Sequence, residues 1–332
     1  TEVKSEEPSS GKLCERNIGV NLSDQTKWPT PYTPSYFDKE PESDEAVVVY
    51  NDGPYGNTLI VTLFHALDMA YDKKCGVMVT KDSAWIWDHM STWFYGGKAR
   101  DDAFYKSMED AFGFKVVESL TEASKQKKVL HKLNAQGGLY ARSKTLRVEQ
   151  FRNRRDTIYR KLFSLPNPPC NGINAAGMNK PDAKYTVIDV GFQDAWNAKF
   201  DENEGRSHTD AYEMKPDFVK NILNSVQMGD SPVFLGKTQN SQDANRAQVK
   251  GLVDDPAIKT QDKDISNDLY MAVLADVFIG VPSSHWSMMV ARMRYALGMK
   301  NTFVLTTRNI SYVDDASYLL IHDPKRMGLW FG

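Results

Sequence analysis

Apolar side chains fall in short runs that alternate with stretches of helical spacing. Ala46-Val47-Val48-Val49-Tyr50 is an unbroken apolar run, the pattern of a strand buried on both faces. A polar turn follows, Asn51-Asp52-Gly53-Pro54-Tyr55-Gly56-Asn57. Beyond it, Leu59, Leu63, Leu67 and Ala70 recur at helical spacing, as do Ile60 and Phe64. Gly76-Val77-Met78-Val79 then predicts a second strand. Strand, turn, helix and strand in that order form a right-handed parallel unit.

The same alternation returns later. Tyr185 to Val190, Val233 to Leu235, Ala275 to Gly280 and Thr302 to Leu305 predict strands, with Tyr318 to Ile321 as a further candidate. Asp217 to Val226 and Ser241 to Val253 predict helices between them, and another helix follows Pro282-Ser283-Ser284. Between the two sets, Ser164 to Pro181 holds four prolines and two glycines, the composition of a linker. The expected architecture is α/β: two Rossmann-like domains, 46–168 and 182–332, facing a cleft at the carboxyl ends of their strands. Residues 1–45 carry ten acidic and five basic side chains and no sustained apolar period, so an extended leader or stem is expected there. Its aromatic stretch, Trp28 to Phe37, suits docking on the body.

Two stretches need a choice between packing and function. Ala84 to Trp93 holds three tryptophans, and packing against the sheet is preferred to a sugar-binding platform. Lys125 to Lys161 carries twelve Lys or Arg against Glu149 and Asp156 alone. A solvated helical face bearing Arg152, Arg154, Arg155 and Arg160 is expected. The alternative is a site for an anionic ligand, an acidic partner or a membrane lipid head group.

Composition narrows the classes. Hydrophobic content of 41% and charged content of 25% are those of a globular protein with a large core. A net charge of −2 supplies no general field for nucleic acid, and no apolar run is long enough to cross a bilayer. The chain begins at Thr1, which is consistent with removal of a leader, anchor or tag. Cys14, Cys75 and Cys170 have no metal-ligand spacing, and an odd count argues against a disulfide framework. One bridge, Cys14 to Cys170, is compatible with it, and the redox compartment stays open. The sequons at Asn21 and Asn309 are about as many as chance supplies.

The candidate chemistry is a pair of turns. A strand, a small-residue turn and a helix N-terminus aim unpaired N–H groups and a helix dipole at one point, which suits an anion. Pro282-Ser283-Ser284 is such a turn, and capping of the helix is its simpler role. Gly53 to Asn57 is another. Two matching turns in two matching halves suggest a nucleotide diphosphate. No HExxH, CxxC pair, GxSxG or Walker loop is present. Asp101-Asp102, Asp254-Asp255, Asp262, Asp264 and Asp314-Asp315 lie in polar stretches and are expected to be solvated turns rather than a metal site.

At these residues the chain resembles a family. DLYMAVLADVFIGVPSSHWSMMVARMR, Asp268 to Arg294, is similar to the donor motif of GDP-fucose-dependent fucosyltransferases, particularly the protein O-fucosyltransferase-like group. Gly53 to Val79 is similar to that group's G-x-x-G-N loop and helix, and PVFLGKTQNSQDA to the strand and loop between. The resemblance implies a GT-B-type fold and inverting transfer of fucose from GDP-fucose to a glycan or protein hydroxyl, with no metal or other cofactor required. Active members imply a secretory-pathway lumen. In it, Gly53, Gly56 and Asn57 approach the donor, Asp268 hydrogen-bonds guanine, and Ser283, Ser284 and the His285 backbone hold the diphosphate. Asp276 is expected to be a structural acid at a strand end.

The chain departs from the family at a cationic position. The His-x-Arg motif expected after the first strand of the second domain is replaced, with Asp189 at the histidine and Gly191 at the arginine. Pro54 stands where the amino-terminal loop often carries arginine. Arg206, Arg246 and Arg292 are the candidate substitutes, although Arg292 and Arg294 are expected at the core boundary or in solvent. Two functions follow. In the first, a fucosyltransferase-like enzyme uses Asp189 or Asp194 as acceptor base. In the second, a catalytically silent relative serves as a binding or scaffold subunit, docking through 125–161 or the leader.

Overall fold

The structure is a computed structural model that describes residues 12–14, 16–17, 43–50, 56–134, 149–165, 168–189, 216–236, 251–261, 268–280, 285–305 and 310–312. The chain divides into two compact units. One is built on Asp24–Pro169, and the other on Cys170–Leu319 together with Thr1–Ser23. They are called the N-terminal and C-terminal units below. Each contains a parallel sheet flanked by helices, so the chain is α/β with two Rossmann-like sheets.

In the N-terminal unit, β3 (Glu45–Tyr50) lies between β4 (Gly76–Thr80) and β6 (Lys128–Asn134), with β5 (Lys115–Val117) outside β4. All pairs are parallel, giving the strand order 3-2-1-4 when counted along the chain. Ala46, Val47, Val48 and Val49 are fully buried, as a central strand covered on both faces requires. α1 (Gly56–Lys73) makes the first crossover and buries Leu63, Phe64, Leu67 and Ala70. α2 (Ala84–Phe94) carries the tryptophan stretch. Trp87 is buried there, donates Nε1 to Thr80 O at 2.9 Å and meets the rings of Phe104, Tyr105 and Phe114 edge-on. It is core, as expected. Asp101 caps α3 (Asp102–Phe112) by accepting from Phe104 N, and Ser119 caps α4 (Leu120–Gln126) through Glu122 N.

The basic segment departs from expectation. Lys128 to Asn134 is the edge strand β6, and Lys128 pairs with Glu45. In α5 (Glu149–Phe163), Arg154, Arg155, Asp156 and Arg160 are all buried rather than solvated. The Arg154 guanidinium lies 4.3 Å over the Tyr71 ring. Arginine can be buried in this way because its planar, weakly hydrated head stacks on apolar surface. These side chains therefore do not form a docking face; 135–148 lies outside the described residues.

In the C-terminal unit the order is β12-β11-β10-β7-β8-β9. The strands are β7 (Thr186–Asp189), β8 (Val233–Gly236), β9 (Thr260–Gln261), β10 (Val277–Gly280), β11 (Thr302–Leu305) and β12 (Ile310–Tyr312). β7 to β11 are parallel, in the order 3-2-1-4-5, and β12 closes the edge antiparallel. Alternation sorts the side chains. Ile188, Val233, Leu235, Val277, Ile279 and Phe303 face one way, onto Val219, Ile222 and Leu223 of α7 (Pro216–Ser225). Asp189, Gly236, Phe278, Gly280 and Thr302 must then face the other way, toward α9 (His285–Ala296).

A short hairpin near the amino end of the chain is stapled to this unit. The hairpin of β1 (Lys12–Leu13) and β2 (Arg16–Asn17) presents Cys14, which is disulfide-bonded to Cys170 at the start of α6 (Asn171–Ala175). Trp28 to Phe37 lies outside the described residues. Cys75 is a buried free thiol whose pKa is raised by burial, so it stays protonated and packs as a small apolar group.

Candidate functional site

The strand order defines where a ligand would sit. β7 and β10 are adjacent in the sheet, but the chain leaves β7 for β8 on one side and reaches β10 only later on the other. Crevices form at the carboxyl ends of strands where the winding reverses. Here those ends are Asp189 of β7, Gly280 of β10 and Gly236 of β8, which pairs with Asp189 in register.

The first turn of α9 lies over them. Ser287 Oγ donates to Asp189 Oδ2 at 2.5 Å, joining residues 98 apart in sequence. Asp189 is only 4% exposed. Of the two glycines, one explains how the helix comes so close. A Cβ on Gly280 would lie 2.6 Å from Ser287 Oγ and 2.8 Å from Phe278 Cε1. A Cβ on Gly236 would lie 3.5 Å from Trp286 Cζ3, an ordinary contact. Gly280 is therefore required by sterics and Gly236 is not. Gly280→Ala is expected to cost about 1–3 kcal/mol by overpacking and to push Ser287 off Asp189. An unchanged thermal midpoint would refute this account of the contact.

Trp286 completes the turn. Its ring packs at 6.2 Å from Phe278 and is 8% exposed, yet its Nε1 has no hydrogen-bond partner among the described residues. Buried donors are nearly always paired, so this N–H calls for an acceptor.

The far end of α9 is pinned as firmly. Arg294, expected at the core boundary or in solvent, is fully buried. It donates to Thr302 Oγ1, Val273 O, Ala275 O and Lys300 O at 2.5–2.8 Å. Arg292 is buried as well, 5.5 Å from the Tyr295 ring. It is buried rather than solvated; Arg206 and Arg246 lie outside the described residues.

Of the residues singled out from the sequence, Asp189 and His285 come to this place. His285 is the first residue of α9, where backbone N–H groups lack helical acceptors. Gly56 and Asn57 begin α1 in the N-terminal unit, so they form a helix start rather than the end of a free turn. Asp268 caps α8 (Leu269–Val273), accepting from Met271 N at 2.8 Å, and a Cβ on Gly172 would collide with its carboxylate. Its described contacts are thus those of a helix cap. Asp276 accepts from Tyr185 N at 2.9 Å, the structural role expected for it. Gly53, Asp194, Ser283 and Ser284 lie outside the described residues. Ser287, Trp286, Gly236 and Gly280 were not singled out. Their signal was the glycine that ends each of two apolar strand runs, and a hydroxyl three residues beyond Ser284.

In the described acidic pairs, Asp102 and Asp254 are exposed and their neighbours make structural bonds. Asp101 caps α3, and Asp255 pairs with Lys220 at 2.9 Å and accepts from Ala257 N. The Lys220 hydrogen bond holds the Asp255 pKa below the usual range. Among the described residues no helix is long and apolar enough to cross a membrane.

No family model matches the chain, and no curated protein matches it. Among solved structures it is similar to E. coli heptosyltransferase WaaC with ADP, at a TM-score of 0.31 and 10% identity. That match covers 77% of this chain and 92% of the other.

Proposed function

We propose that this chain is a fucosyltransferase-like glycosyltransferase. It holds a guanine nucleotide sugar, with GDP-fucose as candidate donor, at the carboxyl edge of the C-terminal sheet. The sugar passes with inversion to a hydroxyl of a glycan or protein, without a required metal. The observation that carries this reading is the convergence of Asp189, Gly236 and Gly280 beneath the first turn of α9 at the sheet's switch point. The buried Trp286 N–H, which has no partner among the described residues, supports it. So does the resemblance of Asp268 to Arg294 to a donor motif, in which Asp268, Ser283, Ser284 and the His285 backbone hold the nucleotide. Gly53, Gly56 and Asn57 are proposed on the donor side of the N-terminal unit. Asp189 is buried and bonded to Ser287, which favours a positioning role and leaves Asp194 as the proposed acceptor base. The Cys14–Cys170 bridge fits a secretory-pathway lumen.

A specific observation favours the second reading, a catalytically silent binding or scaffold protein. The buried Asp189 stands at the histidine of the resembled family's His-x-Arg motif, and Gly191 replaces its arginine. A carboxylate there opposes a departing diphosphate, whereas arginine offsets its charge.

Ligand binding raises stability in proportion to occupancy, by about 2.7 kcal/mol at a hundredfold excess over Kd. GDP and GDP-fucose at millimolar concentration are expected to raise the melting temperature of the wild-type chain. Trp286→Phe keeps the packing and removes the N–H. It is expected to leave the unliganded chain as stable and to weaken GDP about five- to tenfold. Absence of any shift with either nucleotide would sink the donor-site reading. A shift without release of GDP from GDP-fucose, across a panel of glycan and protein acceptors, would favour the silent protein.

A further inference from the structure

Cys170 links the amino-terminal hairpin to the residues that fix Asp268. Its partner Cys14 holds the hairpin turn at φ 51°, in the left-handed region that residues other than glycine, asparagine and aspartate seldom enter. A backbone kept there is fixed by its surroundings, and Cys14 is 6% exposed. On the other side of the bond, the Cys170 carbonyl accepts from Asn174 N at 2.9 Å and so begins α6. Two residues on, Gly172 lies against the Asp268 carboxylate. A Cβ on Gly172 would collide with Asp268 Oδ2 and Cγ, so α6 comes this close only because residue 172 has no side chain. Asp268 Oδ1 accepts from Met271 N and starts α8. α6 and α8 have five residues each, too few to be stable by themselves. The bridge, Gly172 and Asp268 therefore form one continuous path from the hairpin to α8.

We propose that the Cys14–Cys170 bridge and Gly172 are positioning elements for Asp268: they set its carboxylate where it selects the base of a bound guanine nucleotide. The inference rests on reading Asp268 to Arg294 as the donor motif. Guanine presents two N–H groups along one edge to a carboxylate, where adenine presents one beside an acceptor, so a fixed carboxylate distinguishes them. Asp268 is half-buried, and a carboxylate accepts at about four positions, so a helix cap and a base edge can share it. Its direction is set by what presses on it. Gly172 supplies that surface, and the bridge at Cys170 holds the first turn of α6 in place behind it.

Titration calorimetry with GDP and with ADP tests it. The wild-type chain is expected to bind GDP about tenfold or more tighter than ADP. Gly172→Ala keeps the bridge and drives a methyl group into the carboxylate. It is expected to weaken GDP by about tenfold while leaving ADP unchanged. Alanine favours a helix over glycine, so a loss comes from the collision and not from helix propensity. The wild-type chain reduced with dithiothreitol, at a temperature where it stays folded, is expected to show the same selective loss. General loosening of the fold would weaken both nucleotides together and leave their ratio where it was. An unchanged ratio in Gly172→Ala and in the reduced chain overturns this inference and leaves the donor site standing. A change in only one of the two overturns the part given to the other. If Gly172→Ala does not fold, the reduced wild-type chain decides. Equal binding of GDP and ADP by the wild-type chain overturns the role of Asp268, and this inference with it. Failure of both nucleotides to bind any form overturns the donor site itself.

Discussion

Arg294→Ala is expected to destabilise the C-terminal unit by about 3–5 kcal/mol. The side chain is fully buried in the last turn of α9, and its hydrogen bonds reach four separate acceptors. Two of them, Val273 O and Ala275 O, lie on the approach to β10, and Thr302 opens β11. One guanidinium therefore ties the helix to two strands at the amino edge of the sheet. Truncation leaves two backbone carbonyls and a hydroxyl in a dry space, which costs more than the bonds themselves contribute. The charge also complements the carboxyl end of the helix dipole. Arg294→Lys is expected to recover only part of the loss, because an ammonium cannot reach four acceptors spread around a planar fork. Urea titration followed by circular dichroism measures both. A loss under about 1 kcal/mol for the alanine variant would show that the carbonyls find other donors. The consequence extends to the candidate site. α9 is held at one end by Arg294 and at the other by Ser287 on Asp189, so loosening either end is expected to displace the turn that carries Trp286.

Cys170→Ser is expected to lower stability by about 2–5 kcal/mol. The bridge to Cys14 closes a sequence separation of 156 residues, and long closed loops restrict the unfolded chain most. It also anchors the β1–β2 hairpin, a two-stranded element too small to persist alone. Reduction of the wild-type chain with dithiothreitol is expected to reproduce the loss, and Cys14→Ser to match Cys170→Ser. Cys75 serves as internal control: buried and held protonated, it is expected to stay unreactive to thiol reagents until the N-terminal unit unfolds. Identical melting of oxidised and reduced protein would remove the bridge as a source of stability. It would also weaken the argument for an oxidising compartment.

Much of the scaffold was legible in the chain. Ala46 to Tyr50, Gly76 to Val79, Val233 to Leu235 and Ala275 to Gly280 read as strands, and strands cover them with boundaries shifted by a residue or two. The helix expected at Asp217 to Val226 is found at Pro216–Ser225. Edge and short elements were not legible. β6 hides in a basic stretch because an edge strand needs only one apolar face, and β5 spans Lys115–Val117 alone, too short to show a period.

The site divides along the same line. Local pattern set the positions at which strands end and helices begin, and with them the alternation that places Asp189, Gly236 and Gly280 on one face. It also supplied the residue types that resemble a donor motif. Pattern had no access to pairing. That Asp189 meets Ser287, that Gly280 is small because a hydroxyl fills its side, and that Arg154, Arg160 and Arg294 are core rather than surface were decided only by the tertiary structure. Periodicity is a property of neighbours in sequence, and the chain states it directly. Whether a charge is buried, bonded or free depends on which distant segment packs against it, and that is settled only when each sheet is covered by its helices.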